Sequence, residues 1–475
     1  MRKELTPDLC IVGAGSAGLA IAAGAQQMGA DCVLVERGRM GGDCLNYGCV
    51  PSKALLAAGK AARFHKLAAK YGVTYGAPEV GFQAVHDHVH GVIGAIAPND
   101  SQERFEGFGV TVQRGAGRFV DPRTLEVGET RVKARRFVLA TGSTAAVPPI
   151  PGLAETPYLT NETIFDLTER PEHLIVIGGG PIGTELGQAF AHLGSQVSIV
   201  EMARVLSVND SEAADVLRSQ LRADGVALHE GVKVTGAAAD GNGVAVDIEG
   251  PDGANRLRGS HLLVAAGRKP VLDGLGLEAA GIAQERGQLR VDARLRTTNK
   301  RVFAAGDIAG GPQFTHVAGY HAGIVIKNAL FRMPTKADHS AVPAVTYTSP
   351  EIASVGLDEA GARSAHGDGV RVLTWPFDDN DRAQAERKTE GFAKAIVTPK
   401  GRVLGCTIVG AHAGELIYPW ILAVQKRLKV GDIAQMIAPY PTWGEVSKRA
   451  AGSFYTPKLF SERTRRIVRL LARLG

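Results

Sequence analysis

The sequence predicts an α/β protein in which one strand–turn–helix–strand unit occurs twice. Three observations lead there. Short apolar runs with strand character end in glycine-rich turns. Those turns open small-residue stretches of helical length. The composition, with 59 Gly, 6% aromatic and 45% hydrophobic residues, suits layers joined by many tight strand–helix turns. At 475 residues the chain exceeds one core, so about two to four domains are expected.

In the first copy, Leu9-Cys10-Ile11-Val12 has the continuous apolar pattern of a buried strand. It runs into Gly13-Ala14-Gly15-Ser16-Ala17-Gly18 and a helix reaching Met28. A second strand, Cys32-Val33-Leu34-Val35, ends at Glu36. The pattern returns at Leu174-Ile175-Val176-Ile177, ahead of Gly178-Gly179-Gly180-Pro181-Ile182-Gly183. A helix to about Leu193 follows, and Val197-Ser198-Ile199-Val200 ends at Glu201. In both copies the acidic residue lies eighteen positions after the third glycine.

Physical chemistry explains this spacing. The first glycine allows a tight turn, the second lets backbone approach a pyrophosphate, and the third lets helix and strand pack closely. The helix N-terminus presents unpaired N–H groups to the phosphates. The carboxylate at the next strand's end accepts hydrogen bonds from ribose hydroxyls. Two copies therefore predict two dinucleotides. Glu201 repels a 2′-phosphate, which favours NAD over NADP, while Arg204, three residues on, works against that preference.

A cysteine pair follows the first copy, in Met40-Gly41-Gly42-Asp43-Cys44-Leu45-Asn46-Tyr47-Gly48-Cys49-Val50-Pro51-Ser52-Lys53. In a regular helix a five-residue step rises ~7.5 Å, whereas a disulfide wants its Cα atoms within roughly 4.4–6.8 Å. The segment must bend or unwind to close the bond, and Gly48 lets the backbone do so. Strained disulfides are the reducible kind, so the pair reads as a two-electron relay beside a bound nucleotide. Zinc is the rival reading, but no second Cys/His pair follows at ligand spacing, and no metal ligand is assigned.

A third signature is Arg301-Val302-Phe303-Ala304-Ala305-Gly306-Asp307-Ile308. A carboxylate at a strand end can contact ribityl or ribose hydroxyls, and Gly306 permits close approach. Ala140-Thr141-Gly142 and Gly267-Arg268 are similar strand-end turns, where the chain crosses from one nucleotide domain to the other.

The net charge of +6 is concentrated. Residues 458–475 carry Lys458, Arg463, Arg465, Arg466, Arg469 and Arg473 against Glu462 alone, leaving +1 for everything before them. A nucleic-acid footprint is not indicated. Within that stretch Ile467, Leu470, Leu471 and Leu474 follow i, i+3, i+4, i+7, with Arg466, Arg469 and Arg473 off that face. Such a basic amphipathic helix lies on an anionic membrane or a partner, or docks on the preceding domain. Met1–Pro7 is polar and runs into a strand, so no signal peptide is expected. No apolar run approaches the ~20 residues of a bilayer span, and a cytoplasmic protein is expected. Cys10, Cys32 and Cys406 lie in apolar strand-like runs and read as core residues. His86, His88 and His90 fall on a helix expected over Phe82–Ile96 and read as a solvated face.

Taken together, these motifs resemble the flavin-dependent pyridine nucleotide–disulfide oxidoreductases, which include glutathione reductase, dihydrolipoamide dehydrogenase and mercuric reductase. The resemblance covers nearly the whole chain and rests on both glycine fingerprints, the GGDCLNYGCVPSK run, ATG at 140–142, AAGRKP at 265–270 and AAGDI at 304–308. It implies two Rossmann-like dinucleotide-binding domains, for FAD and NAD, plus a C-terminal α+β dimerisation domain that completes the partner's active site. The implied division is 1–152 for FAD, 153–271 for NAD(P), 272–340 completing the FAD domain, 341–460 for dimerisation and 461–475 as a basic tail. FAD contacts are implied at Gly13, Gly15, Ser16, Ala17, Gly18, Glu36, Arg37, Gly42, Asp43, Cys44, Lys53, Gly117, Ala140, Thr141, Gly142, Gly306, Asp307, Phe314, Thr315 and His316. Those for NAD(H), the electron-donating substrate, are Gly178, Gly180, Pro181, Ile182, Gly183, Glu201, Gly267 and Arg268.

The same resemblance makes Cys49 the thiolate nearest the flavin and Cys44 the interchange thiol that meets a small-molecule acceptor. Cys49 sits near a helix start, where the dipole and a nearby cation lower a thiol pKa. Lys53 matches the lysine beside the flavin's reactive edge, and Glu185 matches its carboxylate partner in the dihydrolipoamide dehydrogenases.

The chain departs from the disulfide-reducing members at Pro439-Tyr440-Pro441-Thr442-Trp443-Gly444-Glu445. There they carry His-Pro-Thr followed by Glu; here Tyr440 stands for the His and Glu445 remains. A phenol of pKa ~10 shuttles protons poorly at neutral pH beside an imidazole of ~6.5. Pro-Tyr is similar to mercuric reductase, and Thr156-Pro157-Tyr158-Leu159-Thr160 resembles its TPYWT stretch, whose Tyr faces the metal site. The C-terminal cysteine pair of mercuric reductase is not found in Leu470–Gly475. The expectation is a homodimeric NADH-oxidising flavoenzyme with a mercuric-reductase-like core and an undetermined acceptor. The alternatives are a dihydrolipoamide dehydrogenase and a redox-sensing or membrane-docked flavoprotein.

Overall fold

A computed structural model of the chain describes residues 3–251 and 253–474. They form two compact units. One unit runs to Ala62 and takes in Glu79–Val200 and Val232–His339; the other comprises Arg63–Pro78, Glu201–Gly231 and the chain from Ser340.

The first unit holds a five-stranded parallel sheet in the order Val302–Ala304, Arg136–Leu139, Leu9–Val12, Cys32–Glu36, Thr111–Arg114. The apolar runs of its central strands, Leu9–Val12 and residues 32–35, are buried, as continuous apolar runs are when both faces of a sheet are covered. The helices Ser16–Gln27 and Thr315–Ala329 pack on one face, around Leu9, Ile11, Leu34, Ile21 and Val325. On the other face Phe119 and Phe137 meet edge-on at 5.0 Å within a second cluster.

The same unit contains a second set of parallel strands, with His173–Ile177 between His261–Val264 and Gln196–Glu201. The helix Pro181–His192 follows the central strand. The expected strands and helices of both repeats form, within a residue or two of their sequence boundaries. A short antiparallel pair, Ser143–Ala145 with Arg268–Pro270, joins the segments that leave and re-enter the first sheet. An antiparallel three-stranded sheet spans Lys233–Asp240, Gly243–Gly250 and Gly253–Gly259.

The second unit is built on an antiparallel sheet ordered Ala344–Thr346, Glu351–Gly356, Val403–Gly410, Phe392–Val397, Arg371–Pro376. Trp420, Val446, Ala450 and Ala451, on the helices Tyr418–Lys426 and Glu445–Gly452, close its core. Lys394, almost fully buried, bonds both oxygens of Asp210, at 3.0 and 2.9 Å. Asp210 caps the helix Ser211–Ala223, so the charge pair anchors that helix. The last helix, Glu462–Leu471, has no buried residue. No helix among the described residues is long and apolar enough to cross a membrane.

Candidate active site

The two glycine-rich turns are built alike. Gly13 has φ 110° and Gly178 φ 113°, a region that L side chains rarely adopt. A Cβ on Gly13 would strike the Ala140 carbonyl oxygen, and one on Gly178 the Ala265 carbonyl oxygen. The third glycine of each turn is equally constrained, since a Cβ on Gly18 or Gly183 would strike the carbonyl of Gly13 or Gly178. The second glycine faces space: nothing lies within 4 Å of a Cβ on Gly180, and only the Gly42 Cα, at 3.8 Å, near one on Gly15. Each turn thus keeps open backbone at a helix N-terminus that has no side-chain cap. This fits a dinucleotide pyrophosphate, which needs close backbone approach and unpaired N–H donors.

Glu36 is held at the end of its strand, accepting from the Ala14 N–H at 2.6 Å and the Gly38 N–H at 2.5 Å. Glu201 accepts from the Ala203 N–H at 2.9 Å. Arg204 is drawn to Asp215, at 2.6 Å. Pro181 is exposed at the first turn of its helix, and Ile182 is half-buried.

The cysteine segment sits on the first turn. Gly41 donates to the Ala14 carbonyl at 2.9 Å, and a Cβ on Gly42 would lie 2.7 Å from the Gly15 Cα. Cys44 belongs to the short helix Gly42–Asn46, and the helix Cys49–Ala69 begins at Cys49 itself. The chain therefore breaks between the cysteines, as their spacing requires. The break does not use left-handed backbone at Gly48, which is absent from the positive-φ glycines. Glycine is needed there for room, because a Cβ would meet the Asp43 carboxylate at 2.8 Å.

The structure holds both cysteines as free thiols, Cys44 half-buried and Cys49 exposed. They are polarised in opposite directions. The hydrogen bond from Cys44, followed by the Thr315 hydroxyl and the Lys53 charge, lowers the Cys49 pKa to about 6, against burial, which raises it. Cys44 donates to Cys49 and is partly buried, which raises its pKa; hydrogen bonds to Thr315 and Ser16 oppose that rise. The Thr315 hydroxyl lies 3.3 Å from the Cys49 sulfur. The inter-thiol bond is the largest cause of the depressed Cys49 pKa, ahead of the lysine charge.

Lys53 Nζ donates to Glu185 Oε2 at 2.8 Å and to the Ser52 hydroxyl at 3.2 Å. Glu185 is buried on the helix that follows the second turn, so this ion pair joins the helix that begins at Cys49 to the second repeat.

Asp43 accepts from Asn161 Nδ2 and Arg268 Nη2, both at 3.0 Å. Arg268 also donates from Nε to the Ser143 hydroxyl at 2.7 Å, and Ser143 donates to Asp307 Oδ2 at 2.5 Å. One largely buried guanidinium thus links the cysteine loop to the Gly-Asp turn. Gly306 takes φ 74°, and its N–H donates to His321 Nδ1 at 3.2 Å. His321 in turn meets His339 at 2.8 Å, and burial, then the neighbouring histidine, drives its pKa down to about 4.

Sequence reasoning did not find Asn161, Ser143 or His321, none of which lies in a recognisable motif. The strand-end position of Ser143, directly after Ala140-Thr141-Gly142, was the one available signal. Thr315 was expected as a cofactor contact; its hydroxyl also faces Cys49.

Other expected residues take plainer positions. Arg37 is exposed. Gly117 is buried at a strand start, where a Cβ would meet Leu125, Val35 and Val12. Gly142 and Gly267 have φ of 70° and 115° at the two crossings. The Phe314 and His316 rings stack with centroids 5.0 Å apart. The His86 and His90 rings stack at 4.0 Å, and no group of three or more metal-capable side chains occurs among the described residues. Cys10, Cys32 and Cys406 are buried, and burial pushes the Cys32 pKa up to about 12 and the other two higher than usual.

Tyr158 belongs to the first unit and is partly exposed; Tyr440 and Glu445 belong to the second. Tyr440 donates its phenol proton to Asp381 Oδ2 at 2.9 Å, and this carboxylate raises the phenol pKa. Glu445 begins the helix Glu445–Gly452.

Comparison with known proteins gives concordant matches. Residues 7–322 match the family model described as pyridine nucleotide-disulphide oxidoreductase, and residues 342–451 match that family's dimerisation domain. The mercuric reductase of Streptomyces lividans is 37% identical over 455 residues, covering 94% of this chain and 96% of that protein. The dihydrolipoyl dehydrogenase of Thermus scotoductus is 36% identical over 468 residues, covering 95% and 98%. Among solved structures, LpdA of Mycobacterium tuberculosis superposes with a TM-score of 0.85 at 29% identity, covering 95% of this chain and 99% of that one. The Cu(II) complex of the HOCl-induced flavoprotein disulfide reductase RclA from Escherichia coli gives 0.83 at 29% identity, covering 92% and 98%.

Proposed function

Because the chain belongs to the pyridine nucleotide-disulphide oxidoreductase family, we propose that it is an NADH-oxidising flavoenzyme working through Cys44 and Cys49. The observation that carries this reading is the placement of the pair: its loop packs on the first glycine-rich turn, the Thr315 hydroxyl lies 3.3 Å from the Cys49 sulfur, and the Lys53–Glu185 ion pair stands one helical turn on, so that Cys49 is favoured as the thiolate and Cys44 as the thiol. A buried structural pair would see both raised, as Cys10 and Cys32 do.

In this reading residues 1–152 and 272–340 hold FAD, 153–271 hold NAD(H), 341–460 pair two copies, and 461–475 form a separate tail. The Gly13–Gly18 turn and Glu36 hold the first dinucleotide, with Arg37, Gly42, Gly117, Thr141, Asp307, Phe314 and His316 around it. The Gly178–Gly183 turn, Glu201 and Gly267 hold the second. FAD bound there would supply hydride acceptance from NADH and two-electron transfer to a disulfide. Cys49 stores negative charge as a thiolate beside Lys53, which Glu185 holds in place. Cys44 keeps its proton near neutrality and is the outer thiol that meets the acceptor.

Tyr440 separates this chain from efficient disulfide reduction. A phenol whose proton is committed to Asp381 is a weak acid for protonating a departing thiol. That favours a mercuric-reductase-like acceptor chemistry over a dihydrolipoamide dehydrogenase.

Anaerobic titration with NADH tests the core reading: flavin plus disulfide should take up about four electrons per subunit, two for each couple. Uptake of only two would remove the cysteines from the electron path. A screen of lipoamide, glutathione disulfide, Hg(II) and quinones then identifies the acceptor.

A further inference from the structure

We propose that the helix Glu462–Leu471 and the turn after it are a docking surface for an anionic phospholipid bilayer. From Thr456 to Leu474 every residue is exposed except Ser461 and Thr464, which are half-buried. The apolar residues are therefore uncovered: Leu470 is 61% and Leu474 78% exposed. At about 100° per residue, Ile467, Val468, Leu470 and Leu471 share one side of the helix, and Arg465, Arg466 and Arg469 occupy the other; Arg473 and Leu474 follow in the turn. Leu459 and Phe460, also exposed, extend the apolar surface toward the preceding turn.

The start of the helix is fixed locally. Ser461 caps it by accepting from the Thr464 N–H at 3.3 Å, and the Thr464 hydroxyl donates back to the Lys458 carbonyl at 2.8 Å. Glu462, the single acidic residue of the stretch, lies in the first turn, where the helix dipole favours it. The amphipathic face is thus formed in advance of any contact.

Charge selects the occupant. The stretch 458–475 carries six cations and one anion, whereas the remainder of the chain is nearly neutral. An apolar strip backed by arginines lies in the boundary of a membrane with its strip among acyl chains and its guanidinium groups among phosphates. Arg463 projects within the strip, between Leu470 and Ile467, and reaches the headgroups along its flexible stem. The match to the dimerisation domain ends at residue 451, before this helix begins.

Co-sedimentation of the full-length flavoprotein with phosphatidylcholine vesicles, with and without phosphatidylglycerol, tests the proposal. Binding should require the anionic lipid and weaken as salt rises. Each arginine near such a surface contributes roughly a factor of five, so Arg466→Gln, Arg469→Gln and Arg473→Gln together should weaken binding on the order of 100-fold. Leu470→Asp with Leu471→Asp should abolish it and leave NADH oxidation unchanged. No binding, or equal binding to neutral and anionic vesicles, overturns the proposal without any variant having to fold. Undiminished binding of the Leu470/Leu471 variant overturns it too. So does a change in that variant's oligomeric state by light scattering, which would assign the apolar strip to a second copy.

Discussion

Arg268 holds Asp43 at 3.0 Å, directly beside Cys44 in the chain, while the same guanidinium reaches Asp307 through the Ser143 hydroxyl. The Arg268 side chain is only 12% exposed, so this is a largely desolvated ion pair. Removing one partner leaves the other charge poorly compensated.

A sign follows for the thiols. The Asp43 carboxylate raises the Cys49 pKa, and Arg268 is a counter-charge to that carboxylate. Arg268→Ala should move the pH midpoint of Cys49 alkylation upward, Asp43→Asn should move it downward, and Arg268→Lys should restore part of the loss. Arg268→Ala should also cost ~1–2 kcal/mol of stability, below the fully buried case because Asp43 is partly exposed. An unchanged midpoint in both alanine and asparagine variants would reduce the network to packing.

The hydrogen bond between the thiols is testable by chemistry that keeps or deletes the donor. In the reduced protein Cys49 should ionise with a midpoint near 6. Below that pH the thiolate, its alkylation rate and any long-wavelength flavin band should fade; above it they should persist. Because the folded pKa lies below that of a free thiol, ionisation of Cys49 favours the folded state at alkaline pH. That contribution is lost as pH falls from about 9 toward 6. Cys44→Ser keeps a donor and should retain the band at neutral pH, whereas Cys44→Ala should raise the midpoint. A band in Cys49→Ser instead would reverse the two roles.

Nucleotide choice should follow Glu201. Arg204, the nearby cation that works against a preference for NAD, is engaged by Asp215 at 2.6 Å. A higher kcat/KM with NADH than with NADPH is expected, and Glu201→Arg should shift the ratio toward NADPH. Equal use of both by the unmodified protein would refute the assignment.

Tyr440 should separate acceptor chemistry from flavin reduction. Tyr440→His places an imidazole near Asp381 and Glu445 and should raise lipoamide turnover, by ~10²–10⁴-fold where the geometry allows full acid–base assistance. Tyr440→Phe and Tyr158→Phe should lower turnover of the true acceptor and leave the rate of flavin reduction by NADH unchanged. A matching fall in that half-reaction would make both tyrosines structural.

The repeats were legible because each glycine answers a local demand, a turn or a close approach, and local demands leave a mark in the sequence. Gly13 and Gly178 show this, since a Cβ on either would strike the equivalent carbonyl, that of Ala140 or Ala265. The cysteine break was equally legible, although its glycine serves space and not an unusual φ. What escaped the sequence was assembled over distance. Thr315 reaches Cys49 across 266 positions, and Asn161 reaches Asp43 across 118. Neither contact follows from spacing or polarity along the chain. Each depends on where two separate strand ends and a helix start meet.

Sulfur is partitioned in this molecule. Cys10, Cys32 and Cys406 sit in the core with their thiols held protonated, chemically closer to hydrocarbon than to nucleophile, while the working pair stands at the edge of a turn. An electrophile or oxidant arriving from solution meets the working pair first. On the proposed function, damage there strikes the electron path and spares the buried thiols of the scaffold, and a lesion that stops at a sulfenic acid or mixed disulfide is recoverable by a reductant.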